Sequence, residues 1–199
     1  MKKFVFIILI GFGWNPAISQ MNQSLPVDEN GFITFSEVIT VEGATVEVLF
    51  NNALGYMEYL VDNHKNLKKG PYANEDSTEV YIPLVFTVYK DFPVQSPDGL
   101  IKYNLTVSVK EGRYRYVANN FVYHYLKRNR YGKFVEVKGK SKPLEDPVFS
   151  GNQKLWDKHK EQTAEKIASV TEMLQAEMMF VPKEPKEEIV KVVEVEDNW

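Results

Sequence analysis

Between Ile101 and Tyr116 the sequence alternates so regularly that a β-hairpin is the local structure it fits. Ile101, Tyr103, Leu105, Val107 and Val109 interleave with Lys102, Asn104, Thr106, Ser108 and Lys110. Successive strand residues point to opposite faces, so this pattern gives one apolar and one polar face. Glu111-Gly112 then interrupts it, and glycine accepts the positive φ of a tight hairpin turn. The register follows: Lys110 opposite Arg113, Val109 opposite Tyr114, Ser108 opposite Arg115 and Val107 opposite Tyr116. Tyr114 and Tyr116 then join the valines in the core. Arg113 and Arg115 face solvent with Lys110. A slip of one residue would reverse every one of these placements.

The rest of the chain arranges itself around this hairpin. A first strand is expected within 32–41, where Phe32, Ile33, Phe35, Val38, Ile39 and Val41 meet little polar interruption. Residues 22–31 form a polar lead-in with Pro26 and Gly31. Val46, Leu49, Phe50, Ala53, Leu54, Met57, Leu60 and Val61 fall at helical spacing, so a helix is expected over 45–62. Thr45 suits its N-cap, and Glu47 suits the positive end of its dipole. Residues 62–78 read as a loop and 79–90 as a strand. Pro83 cannot donate to a ladder, so that strand lies at an edge or carries a bulge. Asp91–Gly99 reads as a turn, and a further strand is expected over 121–127. Residues 128–149 read as a long loop with one short strand near 134–137. A second helix follows a capping box at Ser150 and Gln153. Its buried stripe is Trp156, Thr163, Ile167, Val170, Leu174 and Met178, and Pro182 and Pro185 end it. This order predicts an α+β fold with helices packed on one face of an antiparallel sheet.

The N-terminus has the form of an export signal. Lys2 and Lys3 precede an apolar run from Phe4 to Phe12, and small residues at Ala17 and Ser19 suit cleavage before Gln20. The run is about half the roughly 20 residues a membrane span needs. The expected organisation is a signal peptide at 1–19, a domain at 20–180 and a charged tail at 181–199. The chain contains no cysteine, which excludes disulfides, thiolate metal sites and an N-terminal lipid anchor. Periplasmic or extracellular export is the expected localisation, with no transmembrane span.

The opening Leu25-Pro26-Val27-Asp28 with Gly31-Phe32-Ile33, the first helix, the hairpin from Val109 to Tyr116 and the amphipathic closing helix over about 152–178 carry a family resemblance. The chain resembles a bacterial domain of unknown function with a TBP-like (TATA-box-binding-protein-like) fold, found in exported Gram-negative proteins. The likeness covers roughly 25–180, and the tail after Pro182 lies outside it. It implies a strand–helix–four-strand–helix fold and an envelope location. It brings no catalytic residues, and a fold name says nothing about DNA binding.

No catalytic or cofactor motif is written in the chain. His64, His124 and His159 have no metal-ligand spacing, and neither a nucleophile elbow nor a phosphate loop occurs. No catalytic residue, cofactor or metal is therefore expected. A distributed hydrolase site would instead show a histidine beside a carboxylate in a cleft. Tyr103, Tyr114, Tyr116, Tyr123 and Tyr125 either line a binding platform or pack between sheet and helices.

Charge is more informative. The net value is −3, but residues 100–142 hold eleven bases and two acids, while 20–99 and 143–199 carry −8 and −6. Near-neutrality argues against a nucleic-acid partner. The basic middle segment points to an anionic or protein partner in the cell envelope. The candidate binding residues are Lys102, Lys110, Arg113, Arg115, Lys138 and Lys140, on the outer sheet face and a basic 127–142 loop. The bland alternative is solvation and protection of strand edges by charge. A further alternative is a carrier of an apolar ligand between the second helix and the sheet, lined by Tyr114, Tyr116, Ile167 and Leu174.

Overall fold

In a computed structural model, the protein is described over residues 25–63, 70–91, 93–146 and 152–180. The expected signal peptide, the 181–199 tail, His64 and Ser150 lie outside these residues.

The hairpin forms in the expected register. Strands β4 (Ser96–Lys110) and β5 (Arg113–Arg128) pair antiparallel, with Lys110 opposite Arg113, Val109 opposite Tyr114, Ser108 opposite Arg115 and Val107 opposite Tyr116. Tyr114 and Tyr116 are buried, and Arg113 and Arg115 are exposed. The two strands are longer than expected at their open ends. Ser96–Gly99 belongs to β4 rather than to a turn, and 121–127 continues β5 without a break.

A bulge keeps the core face consistent along this length. The register shifts between Lys102 and Asn104, and Asn120 opposite this step has φ of 57°. Asparagine tolerates that left-handed conformation better than most residues. The extra residue changes the phase of burial. Tyr114, Tyr116 and Ala118 face inward before it, and Phe121 and Tyr123 after it.

Around this hairpin the chain builds β1 (Phe35–Thr40), α1 (Val46–Asn63), β2 (Tyr72–Ala73), β3 (Glu79–Lys90), β6 (Phe134–Pro143) and α2 (Gln153–Met178). The six strands form one antiparallel sheet in the order β1-β5-β4-β3-β2, with β6 also paired to β5. β1 takes the first half of β5's edge and β6 the second half. The α+β class and the single-sided helix layer follow expectation. Leu49, Ala53, Met57 and Leu60 of α1 and Trp156, Ile167 and Leu174 of α2 join the inward sheet residues in one core. The Tyr56 hydroxyl ties the helices by donating to the Val170 carbonyl at 2.7 Å. No helix among the described residues is long and apolar enough to cross a membrane.

Pro83 sits where its missing N–H does no harm. The Asn74 side chain accepts from the Glu79 N–H at 2.8 Å, and the Glu79 carbonyl accepts from the Asn74 N–H. Glu79 therefore directs its backbone polar groups away from β4, and alternation gives Pro83 the same direction. Further along this edge, Gln162 of α2 meets both the N–H and the carbonyl of Tyr89, at 2.8 and 2.9 Å. A side-chain amide thus stands in for a neighbouring strand.

Two expectations are corrected. The 127–142 segment is not a loop: it comprises the end of β5, a five-residue turn and the ten-residue strand β6. The turn is organised by Asn129, whose side chain accepts from the N–H groups of Tyr131 and Lys133 at 2.9 and 3.0 Å, with Gly132 at φ of 74°. The second helix is capped by Asn152, whose side chain accepts from the Leu155 N–H at 3.1 Å, rather than by a box on Ser150. Gln153 instead donates to Asp157 one turn ahead.

Candidate functional site

The open face of the sheet carries the sequence-predicted residues, but the topology divides them. Lys110 and Arg113 are directly opposed at the hairpin tip, and Arg115 lies two residues further along β5, between Ser108 and Val38. Among the described residues, none of these three cations makes an ion pair. They form one compact positive group on the outer face.

Lys102 belongs elsewhere. It lies opposite Val122, seven residues beyond Arg115 on β5, which is roughly 23 Å at strand rise. Its ammonium contacts both oxygens of Glu136 on β6 at 2.9 Å, and His124 Nδ1 lies 2.7 Å from Glu136 Oε1. Burial alone would raise the Glu136 carboxyl, but the hydrogen bond and charge of Lys102, assisted by His124, hold it below its ordinary value. His124 is lowered by burial and by Lys102, against the opposing pull of Glu136. This cluster is therefore internally compensated.

Lys138 and Lys140 are exposed on β6, near this second cluster. The β5–β6 register jumps between His124 and Leu126, from Ser141 to Glu136. Val137–Lys140 is thus an enlarged bulge beside the sheet. Lys142, by contrast, faces inward, with its ammonium 5.5 Å from the Trp156 ring. The basic segment consequently spreads over two ends and two faces, and not over one continuous surface.

A second polar constellation lies on the inner face, where the sequence offered little to find it. His159 is 0% exposed and stacks on Tyr123 at 5.3 Å between ring centroids. Its Nε2 is 3.4 Å from Asp98 Oδ2, and the Tyr123 hydroxyl donates to Asp98 at 3.1 Å. Lys90 completes the group, 3.1 Å from the other Asp98 oxygen. Burial pushes His159 down to about 4, assisted by Lys158 and Lys90 and opposed by Asp98. Burial and Asp98 raise the Tyr123 hydroxyl. Gly99 makes the approach possible, since a Cβ there would fall 2.0 Å from Tyr123 Cε2. The one available sequence signal was spacing: His159 shares the buried helical stripe of Trp156 and Thr163.

These pairs meet part of the test for a distributed site, a histidine beside a carboxylate. The enclosed pair fastens α2 to the β3–β4 end of the sheet. The open pair, His124–Glu136, is bound up with Lys102. No group of potential metal ligands occurs among the described residues. Tyr114, Tyr116, Ile167 and Leu174 all lie inside the continuous core. The tyrosines pack between sheet and helices, as one of the two expectations had it. Tyr116 and Tyr123 send their hydroxyls to Glu37 and Asp98.

The single antiparallel sheet, covered by two helices on one side and by no helix among the described residues on the other, defines the chain as a TBP-like α+β domain. Residues 35–124, from β1 to the second half of β5, match the family described as a domain of unknown function (DUF4468) with TBP-like fold. Two solved structures share the architecture. A TBP-like protein from Parabacteroides distasonis superposes with a TM-score of 0.58 at 15% identity, covering 78% of this chain and 97% of that one. A DUF4468 family protein from Bacteroides ovatus gives 0.53 at 16% identity, covering 81% and 94%. At such identities the likeness concerns the fold. No curated protein matches the chain.

Proposed function

We propose that this chain is an exported, non-enzymatic module that binds an anionic partner in the cell envelope through the hairpin tip of its outer sheet face. The observation carrying this reading is the trio Lys110, Arg113 and Arg115, without an ion pair among the described residues and fixed in cross-strand register on a face that no described helix covers. Lys138 and Lys140 supply a secondary contact at the other end. Lys102 is reassigned to holding Glu136.

Export is supported by the Lys2–Lys3 start, the apolar run and the small residues before Gln20. N-terminal sequencing of the exported protein should begin at Gln20, and a chain still beginning at Met1 would overturn the export reading. The non-enzymatic reading is supported by the enclosure of His159 and the engagement of His124 with its neighbours.

Binding is tested by co-sedimentation with anionic phospholipid vesicles and with isolated envelopes. Reversing Lys110, Arg113 and Arg115 to Glu should weaken association more than about tenfold, since each basic residue near an anionic surface contributes about 1 kcal/mol. Reversing Lys138 and Lys140 should cost less. Unchanged binding by the triple variant would refute the tip as the contact.

A further inference from the structure

We propose that the tip of the β5–β6 hairpin, Lys127–Phe134, docks on an anionic phospholipid bilayer and seats the Tyr131 ring among the headgroups. This inference rests on the hairpin's own residues and not on the trio at the opposite end of β5.

The hairpin reaches past its neighbours in the sheet. β4 pairs with β5 no further than Gly99 opposite Tyr125. Beyond that point Leu126, Lys127 and Arg128 pair with Glu136, Val135 and Phe134 of β6 and, among the described residues, with no other strand. Asn129 closes the turn. Its side chain accepts from Tyr131 and Lys133, and its carbonyl accepts from Gly132 at 3.0 Å. The tip is therefore held by Asn129 and the backbone, which leaves the remaining side chains on display.

Those side chains are cations and rings. Lys127, Arg128, Arg130 and Lys133 are exposed, and 127–134 contains no acid. Among the described residues, none of the four makes an ion pair. The nearest carboxylate along the chain, Glu136, is engaged by Lys102 and His124. Tyr131 is 70% exposed and Phe134 37%. The Arg130 guanidinium lies 4.8 Å from the Tyr131 ring centroid, and that of Arg128 lies 5.3 Å from the Phe134 centroid.

A guanidinium set over a ring still carries N–H donors suited to phosphate oxygens. The ring beside it offers apolar surface, and tyrosine adds a polar end. A phospholipid headgroup layer meets both demands, with phosphates above an apolar boundary. A nucleic acid also supplies phosphates, but single strands bind along basic grooves and stack their bases on ring faces. Here the contact is a hairpin two strands wide, and each ring has a guanidinium over one face. Glu136 reaches Lys102 and His124 on the outer face, and alternation places Phe134 and its partner Arg128 on that same side.

Tyr131→Trp keeps an aromatic ring at the tip and reports its surroundings. With vesicles of phosphatidylglycerol in phosphatidylcholine, its emission should shift to the blue and be quenched by lipids brominated near the headgroup, the unaltered chain serving as blank. Phosphatidylcholine alone should do neither. Adding Arg128→Glu and Arg130→Glu should raise the lipid concentration for half-maximal quenching more than about tenfold. The proposal is overturned if the chain fails to bind these vesicles, if the bound chain emits as in water, or if charge reversal leaves the quenching unchanged. A shift caused by a single-stranded oligonucleotide and not by vesicles would overturn it in favour of a nucleic-acid partner. Quenching at the tip together with no effect of reversing Lys110, Arg113 and Arg115 would support this proposal while refuting the trio as a contact.

Discussion

Tyr114 and Tyr123 lie on the same strand and face the same core, yet their hydroxyls have different surroundings. Tyr123 donates to Asp98, whereas the Tyr114 hydroxyl is buried with no hydrogen-bond partner among the described residues. Burial pushes Tyr114 up to about 12. Removing an unsatisfied hydroxyl is neutral or favourable, while removing a bonded one leaves its partner exposed to loss. Tyr114→Phe should leave the denaturant midpoint unchanged or raise stability by up to about 1 kcal/mol. Tyr123→Phe should cost about 1–3 kcal/mol, measured the same way. His159 gives a pH dependence whose sign is set by burial. Its folded pKa, about 4, lies below the ordinary 6.5. The unfolded chain therefore takes up a proton first as pH falls, which favours unfolding. Stability should be complete above about pH 6.5 and decline by about 3 kcal/mol toward pH 4. His159→Phe should flatten that interval of the profile. A slope retained in the variant would assign the loss to other groups. The hydroxyl partner of Tyr123 was not legible in the sequence, since Asp98 comes from a segment that reads as a turn.

At the scale of elements, β6 shows how a strand escapes notice. Asp28-Glu29-Asn30-Gly31-Phe32 and Asn129-Arg130-Tyr131-Gly132-Lys133 make the same turn. In each, the first side chain accepts from the N–H groups two and four residues on, and the glycine has positive φ. The shared Asx-x-x-Gly spacing was present in the sequence and marks a reversal between strands. The alternation that should have followed was hidden, because the bulge at Val137–Lys140 breaks the period of two. Gly132→Ala should therefore strain the turn and cost about 1–3 kcal/mol. Hydrogen exchange at Phe134–Glu136 should accelerate, while β3 and β4 amides keep their protection. Uniform acceleration across the sheet would instead mark β6 as integral to the global core. The hairpin of β4 and β5 was legible to the residue because its alternation is uninterrupted up to the bulge at Asn120.

Across the whole molecule, the net charge of −3 conceals a positive sheet segment between acidic flanks. Folding redistributes it. The tip trio makes no ion pair among the described residues, Lys102 is neutralised by Glu136, and Lys142 turns to Trp156. Binding through the tip should weaken steeply with salt, since exposed charges are screened beyond about 10 Å at 0.1 M. Salt-independent association would point to apolar contact instead. The sequence alone determined the α+β class, the core hairpin and its register, and the core stripes of both helices. It could do so because these depend on periodicity and turn chemistry between near neighbours. Only the tertiary structure decided which cations share a surface, that β1 and β6 divide one edge of β5, and that Asp98 meets His159. Those outcomes depend on which distant segments become neighbours in the sheet and on where bulges shift the register, and no local pattern encodes them.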